Sequence, residues 1–401
     1  MNEFLTRSHP GTGGSIKETP EDFYVEEIAL YPPCGEGEHL YLTVEKKGIT
    51  TFELIDRLAK ALSADKREIG YAGIKDACAT TRQTISIPRV QPEQALALEL
   101  EDVRILSAAF HRNKLRMGHL AGNRFLIRIR NTVPGALDRA RDILHILEMT
   151  GVPNFFGEQR YGVLGNSHLI GGAILREDFE EAARQIIGAP ERIENPRWRR
   201  AAELFAAGRL SEALAEMPDR MRPERNLLQD LIRGMPIDKA VFKMPHKLLK
   251  LYLSAFQSSL FDRIVAMRLA SLDLLWPGDL AFKHDNGACF VVTDPGAEQP
   301  RADRLEISPS GPMYGFKVRL ASGQAGIIEE SLLEKEKLDL NRFRSPKGLA
   351  LEGERRPLRV PLKDVRVVQE GADLLLSFSL PKGSYATSLL REVMKPLPAG
   401  P

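Results

Sequence analysis

The chain has 401 residues, and its 56 lysines and arginines against 54 aspartates and glutamates leave a net charge of +2. That length accommodates a large core and two domains, and the composition excludes a disordered, collagenous or low-complexity chain. Cys34, Cys78 and Cys289 lie far apart with no C-x-x-C pair, which argues against a zinc site or a disulfide framework and suits a reducing cytosol.

The opening MNEFLTRSHPGTGG lacks the apolar run of a signal peptide. No stretch approaches the ~18 apolar residues of a membrane span, so a soluble, cytoplasmic protein without a membrane partner is expected. Residues 21–30 (EDFYVEEIAL) and 39–46 (HLYLTVEK) read as strands, the second alternating through Leu40, Leu42 and Val44. A helix follows from Thr50, where Thr50 and Glu53 make a capping box and Phe52, Ile55, Leu58, Ala59 and Leu62 form an apolar stripe. Ile69–Ile74 is apolar enough for a buried strand; then come a strand at QTISIP, a helix near PEQALALEL and a strand from Val103. In NRFLIRIR, Phe125, Ile127 and Ile129 face one way and Arg124, Arg128 and Arg130 the other. PGALDRARDILHILEMTG is a helix entered through Pro134 and stopped at Gly151. Alternating rather than continuously apolar strands imply an α+β sheet open to solvent on one face.

After about residue 165 the patterning becomes helical (FEEAARQIIG, RWRRAAELFAAGRLSEALAEM, KLLKLYLSAFQSSLFDRIVAMRLASL). Short strands and turns occupy 279–320, and strand patterning returns at VRVV and LLLSFSL before a last helix. The order predicts a first domain over 1–153, an α-rich insertion over 154–350, and completion of the first domain by 351–401.

From Val103 to Leu137 there is no acidic residue, while Arg104, Arg112, Lys114, Arg116, Arg124, Arg128, Arg130, His111 and His119 fall in that window. Such a stripe suits phosphate contacts; equally, it suits a strand face balanced by carboxylates elsewhere in the fold. There is no Walker A sequence and no H-E-x-x-H, and GTGGS at 11–15 lacks the flanking strand and helix of a dinucleotide site. Chemistry, if present, is therefore expected from side chains alone, with no cofactor and no metal.

The best candidate is GYAGIKDACATTRQTIS, residues 70–86, which displays Asp76 at the end of the apolar run among small residues. Lys75, Thr80, Thr81, Arg82 and Gln83 are donors able to hold it ionised, and the same pattern also suits a plain surface turn. VPNFFGEQRYG (152–162) offers aromatics, amides and an arginine for an unpaired nucleotide, or a packing plug. PKGSYATSLLRE (381–392) is a strand-turn-helix that projects Tyr385 ahead of a helix carrying Arg391.

These segments, with KETPEDFYVEE (17–27), KLRMGHLAGNRF (114–125) and YLSAFQSSLFDR (252–263), occur in order along nearly the whole chain. Together they resemble the TruD family of tRNA pseudouridine synthases. The resemblance implies a pseudouridine synthase fold, a mixed and mainly antiparallel sheet with flanking helices, carrying a large inserted TRUD domain. It implies isomerisation of uridine at position 13 in the D arm of tRNA, with tRNA as partner and no obligatory protein partner. Asp76 corresponds to the family nucleophile, and Phe23, Asn123, Phe125 and Tyr385 to its uracil pocket, although phenylalanine is frequent where Tyr385 stands. Lys17 and Arg391 are candidates for a basic partner of Asp76. Attack at C1′, attack at C6 and glycal formation all remain open, as do a non-catalytic RNA-binding protein and an RNA methyltransferase; the latter lacks a glycine-rich cofactor loop. Arg197, Arg199 and Arg200 of the insertion are expected to clamp the RNA.

Overall fold

The computed structural model describes residues 4–344 and 348–395; residues 396–401, which the sequence places in the completion of the first domain, lie outside them. The chain divides into two compact units, one of Phe4–Val152 with the residues from Val360 onward, the other of Pro153–Arg359. The return crossing thus falls at 359/360 rather than 350/351, because Glu354–Pro357 pairs antiparallel with Ile307–Met313 of the second unit.

In the first unit the strands are β1 (Phe23–Ala29), β2 (His39–Lys47), β3 (Gly70–Tyr71), β4 (Thr80–Pro88), β5 (Val103–His111), β6 (Leu120–Ile129), β7 (Lys363–Glu370) and β8 (Asp373–Pro381). Among the described residues they form one eight-stranded sheet in the order β7-β8-β6-β1-β4-β2-β5, with β3 pairing β4. Only β1 and β4 run parallel, over Tyr24–Glu26 and Thr80–Arg82. The helices are α1 (Thr51–Ala61), α2 (Pro92–Leu96), α3 (Ala136–Thr150) and α4 (Ala386–Met394).

Period-2 alternation decides what is buried. Leu40, Leu42, Val44, Ile85 and Ile87 pack under Leu54, Ile55 and Leu58 of α1. Phe23, Val25, Phe125, Ile127, Leu374, Leu376 and Phe378 pack with Ile143, Leu144 and Leu147 of α3 and Leu389, Leu390 and Val393 of α4. The opposite face carries a charge ladder: Arg124, Glu26, Arg82 and Glu45 are successive cross-strand partners and form ion pairs at 3.1–3.2 Å. With Arg112 on Glu36, Arg128 on Glu370 and Asp373, and Arg130 on Asp22, four arginines of the basic stripe are matched by carboxylates remote in sequence. For Arg112, Arg124, Arg128 and Arg130 the balanced-face reading of that stripe holds, since the fold brings carboxylates to them.

Three local expectations change. The apolar run 69–74 pairs only at Gly70–Tyr71, and Ile74 is exposed. The helix near residue 92 stops at Leu96. Phe52, assigned by its spacing to the α1 core stripe, points to solvent.

The glycine-rich segment 11–15 is structural. Thr12 and Gly13 N–H donate to the carbonyls of Val393 and Met394, and Ser15 exchanges two backbone bonds with Arg130. A Cβ on Gly14 (φ +91°) would stand 2.5 Å from the Arg130 carbonyl, so close approach as well as conformation requires glycine there.

The second unit is mainly helical, its longest helix His246–Met267. The predicted helix 197–217 is two, Pro196–Ala206 and Leu210–Glu216, broken at Gly208 (φ +74°). A four-stranded sheet completes it.

Candidate active site

The segment between β3 and β4 has little regular structure of its own and is held by its neighbours. The Lys75 N–H donates to Thr51 Oγ1 at the start of α1 (2.9 Å). Lys46 Nζ donates to the Asp76 carbonyl (2.9 Å) and to the Ile49 carbonyl (2.5 Å). The Gly118 N–H donates to the Ala72 carbonyl (2.8 Å). Asp76 therefore has a fixed backbone and a side chain that is 46% exposed. The sequence places Asp76 at the end of an apolar strand; the strand instead stops five residues earlier and a pinned loop presents Asp76 to solvent. Thr80, Thr81, Arg82 and Gln83 belong to β4, where Arg82 is committed to Glu26 and Glu45, so the expected donors lie elsewhere.

The cation beside Asp76 is Lys17, with Nζ 3.2 Å from Oδ2. Lys17 has a positive φ of 62°, unusual for a long side chain, and its Nζ also sits 4.4 Å from the centre of the Phe23 ring. Its position follows from the anchored glycine segment before it and from Asp22 after it. Asp22 takes both Nε and Nη2 of Arg130 (2.9 and 2.8 Å) and the Thr19 N–H; the guanidinium beside it holds its carboxyl below the usual range. Arg391, the other candidate cation, lies on α4 with its guanidinium 5.1 Å from the ring centre of Phe4.

Phe23 and Phe125 are buried core residues in edge-to-face contact (6.4 Å), and Phe125 stacks on Phe378 (5.1 Å). They form a floor whose faces are already covered. Asn123 is half-buried opposite Glu27, and its Oδ1 accepts from Lys75 Nζ. This orientation leaves its amide N–H groups for another acceptor. Tyr385 is half-buried at the residue preceding α4, and the turn before it reaches β6 through the Pro381–Gly122 pairing and a bond from the Lys382 N–H to the Ala121 carbonyl. Asp76, Lys17, Phe23, Phe125 and Asn123 are thus linked by direct contacts or one intermediary, and Tyr385 follows the end of β8, whose Leu380 and Pro381 pair with Asn123 and Gly122.

Two groups escaped the sequence reading although their signal was present. Lys46 and Glu27 each continue an inward-facing alternation, Leu40-Leu42-Val44-Lys46 and Phe23-Val25-Glu27. Glu27 (side chain 2% exposed) pairs with Lys75 (6%) at 3.6 Å, in the fork where β1 and β3 part along β4. Burial pushes the Glu27 carboxyl up and the Lys75 ammonium down, outweighing their mutual attraction in both cases. Burial also lowers Lys46 to about 8. An unfolded lysine keeps its proton to about 10.4, so between these values the unfolded chain binds more protons and stability rises with pH. Wild type should therefore gain thermal stability relative to Lys46→Met between about pH 8 and pH 10. A constant difference in Tm across that window would contradict this assignment.

From Pro153 onward the loop 152–162 is engaged within the second unit. Phe155 is buried, and the Phe156 ring lies beneath Arg356 (4.4 Å) with Phe261 at its edge (5.8 Å). The Phe156 N–H and the Tyr161 hydroxyl both donate to Asp262. The packing reading of that segment holds over the nucleotide-stacking one, because cation and aromatic neighbours occupy the ring. Arg199 donates to the Ile193 carbonyl, Arg197 to the Ala215 carbonyl and Arg200 to Glu203. These arginines hold local helix structure, which weakens the expected RNA clamp.

The profile of tRNA pseudouridine synthase D (TruD) matches residues 1–393. The tRNA pseudouridine synthase D of Syntrophotalea carbinolica is 62% identical over 98% of this chain and 99% of its own length. That of Thermus thermophilus is 41% identical over 98% of this chain and 92% of its own. A crystal structure of a Methanosarcina mazei protein given the same designation superposes with a TM-score of 0.84 at 28% identity, covering 98% of this chain and 96% of that one. No helix among the described residues is long and apolar enough to cross a membrane. A full-length match of profile, sequence and fold places this chain in the TruD family of tRNA pseudouridine synthases.

Proposed function

We propose that this tRNA pseudouridine synthase isomerises uridine 13 in the D arm, with Asp76 as nucleophile and Lys17 as its cationic partner. The carrying observation is the Lys17–Asp76 contact of 3.2 Å on a backbone that Lys46 and Thr51 hold in place. The reaction breaks the N1–C1′ bond, turns the ring, and forms a C5–C1′ bond, with the proton lost from C5 balanced by one gained at N1. Attack at C1′, attack at C6 and glycal formation share one requirement: an ionised carboxylate facing the nucleoside. Lys17 sets a positive charge 3.2 Å from that carboxylate, and a carboxylate both attacks and leaves readily. Asn123 donates its amide N–H groups to a uracil carbonyl, and Tyr385 supplies an aromatic face at the rim; Phe23 and Phe125 fix the floor and the place of Lys17.

The uridine must leave the RNA stack to reach Asp76, at a cost of roughly a few kcal/mol. The test incubates an unmodified tRNA transcript with protein and no additive, then maps pseudouridine by carbodiimide labelling and primer extension. A new stop at position 13 with wild type, absent with Asp76→Ala, is expected. A stop elsewhere overturns the position, a stop with both proteins overturns Asp76, and binding without any stop favours a non-catalytic RNA-binding role.

A further inference from the structure

Phe52 is 55% exposed, Ile74 58% and Met117 57%, and all three sit on segments bonded to one another around Asp76. Thr51, next to Phe52, accepts from the Lys75 N–H, and the turn at 116–119 is bonded to Ala72 through Gly118. The Phe52 ring meets the half-exposed Tyr71 edge-on at 6.2 Å between centroids. Single exposed apolar side chains are ordinary, but several around one functional loop are not. Neither the core nor the chemistry above uses them: Leu54, Ile55 and Leu58 supply the buried stripe of α1, while Phe52 stands outside it.

We propose that Phe52, with Tyr71 against its ring and Ile74 on the segment bonded to the start of α1, is a stacking platform for the unpaired nucleobase next to the target uridine. The inference rests on the assignment of Asp76 and deepens it by naming how the flanking nucleotide is held. Three observations select a nucleobase as occupant. Ile74 is two residues from Asp76, at most ~7 Å along the chain, which is the range of a neighbouring nucleotide. Turning one uridine out of the stack leaves its neighbour with an uncovered face, and aromatic side chains replace that stacking without regard to sequence. Arg116, exposed beside Met117, supplies a cation for the flanking phosphate. A phenylalanine at the rim of a polar, carboxylate-bearing site suits a base with an apolar face and a polar edge better than a wholly apolar partner.

The test uses the full chain carrying Asp76→Ala, so that binding is read without turnover. Adding Phe52→Ala is expected to weaken binding of unmodified tRNA by about 10-fold or more, with thermal stability unchanged because the ring is mostly in solvent. Phe52→Tyr should retain affinity. Phe52→Trp should show indole quenching on tRNA binding beyond that of the parent protein. The Phe52→Ala penalty should vanish with a transcript abasic on one side of the target uridine. Equal affinity of Phe52→Ala and parent, or a penalty that survives both abasic transcripts, overturns the platform while leaving Asp76 intact. Phe52-dependent self-association without RNA would assign the patch to a second copy and overturn it as well. If wild-type protein makes no pseudouridine, the underlying reading fails, and the platform with it.

Discussion

Asp76→Asn is expected to abolish pseudouridine formation, by at least about 10⁴-fold in single-turnover rate, while leaving fold and tRNA affinity in place. The size follows from the role, since removing a nucleophile from a preorganised site typically costs 10⁴-fold or more. Selectivity for turnover follows from the geometry. Lys46 and Thr51 hold the loop through the Asp76 carbonyl and the Lys75 N–H, which an asparagine at 76 leaves untouched. The lost ion pair to Lys17 is partly exposed, in the class that contributes about 0–1 kcal/mol, so Tm should move by no more than about 4 °C. Removing a negative charge that faces a polyanion does not weaken binding. The check compares Tm, tRNA Kd and single-turnover rate for the two proteins; a fall in stability or affinity matching the fall in rate would show a structural role instead.

The largest stability effect is expected from Lys75. Lys75→Met leaves the Glu27 carboxylate buried, with its Oε1 on the Thr84 N–H (3.3 Å) and its Oε2 with no hydrogen-bond partner among the described residues. Breaking one side of a buried pair costs about 3–5 kcal/mol, whereas replacing both members by apolar groups is often nearly neutral. Lys75→Met should lower Tm by roughly 10 °C, and Lys75→Met with Glu27→Leu should recover most of that loss. Both proteins should remain slow in turnover even where folded, because the Lys75–Asn123 bond that orients the amide is gone. Denaturant midpoints of wild type, both single variants and the double variant measure the coupling directly. Additive losses would mean that Glu27 and Lys75 act independently.

What was legible in the sequence was whatever a local period controls. The alternation of β2 and β6 and the apolar stripe of α1 from Ile55 onward mark buried faces, because side-chain direction in a strand or helix follows from spacing alone. The same rule carries Lys46 and Glu27 inward, and both are easily passed over because charge argues for the surface. The loop around Asp76 was not legible, since its path is set by Thr51, Lys46 and Gly118, distant in sequence and joined only by the sheet. That is also why Ile74 reads as strand core and lies in solvent. The acids that neutralise Arg112, Arg124, Arg128 and Arg130 are likewise remote, so a composition window sees a basic stripe where the fold has a ladder. Lys17 and Arg391 are equal candidates by sequence; the anchored glycine segment sets Lys17 beside Asp76, and α4 sets Arg391 beside Phe4.

The most direct measurement of the central claim follows the hydrogen at C5, which must leave when C5 bonds to C1′. A tRNA transcript labelled with tritium at uridine C5 is mixed with excess protein, and tritium released to water is counted over a single turnover. Wild type should release one equivalent from the target uridine, and Asp76→Asn none above the rate without protein, although both bind the RNA. Release by Asp76→Asn at a rate near wild type would show that another group starts the reaction and would contradict the account.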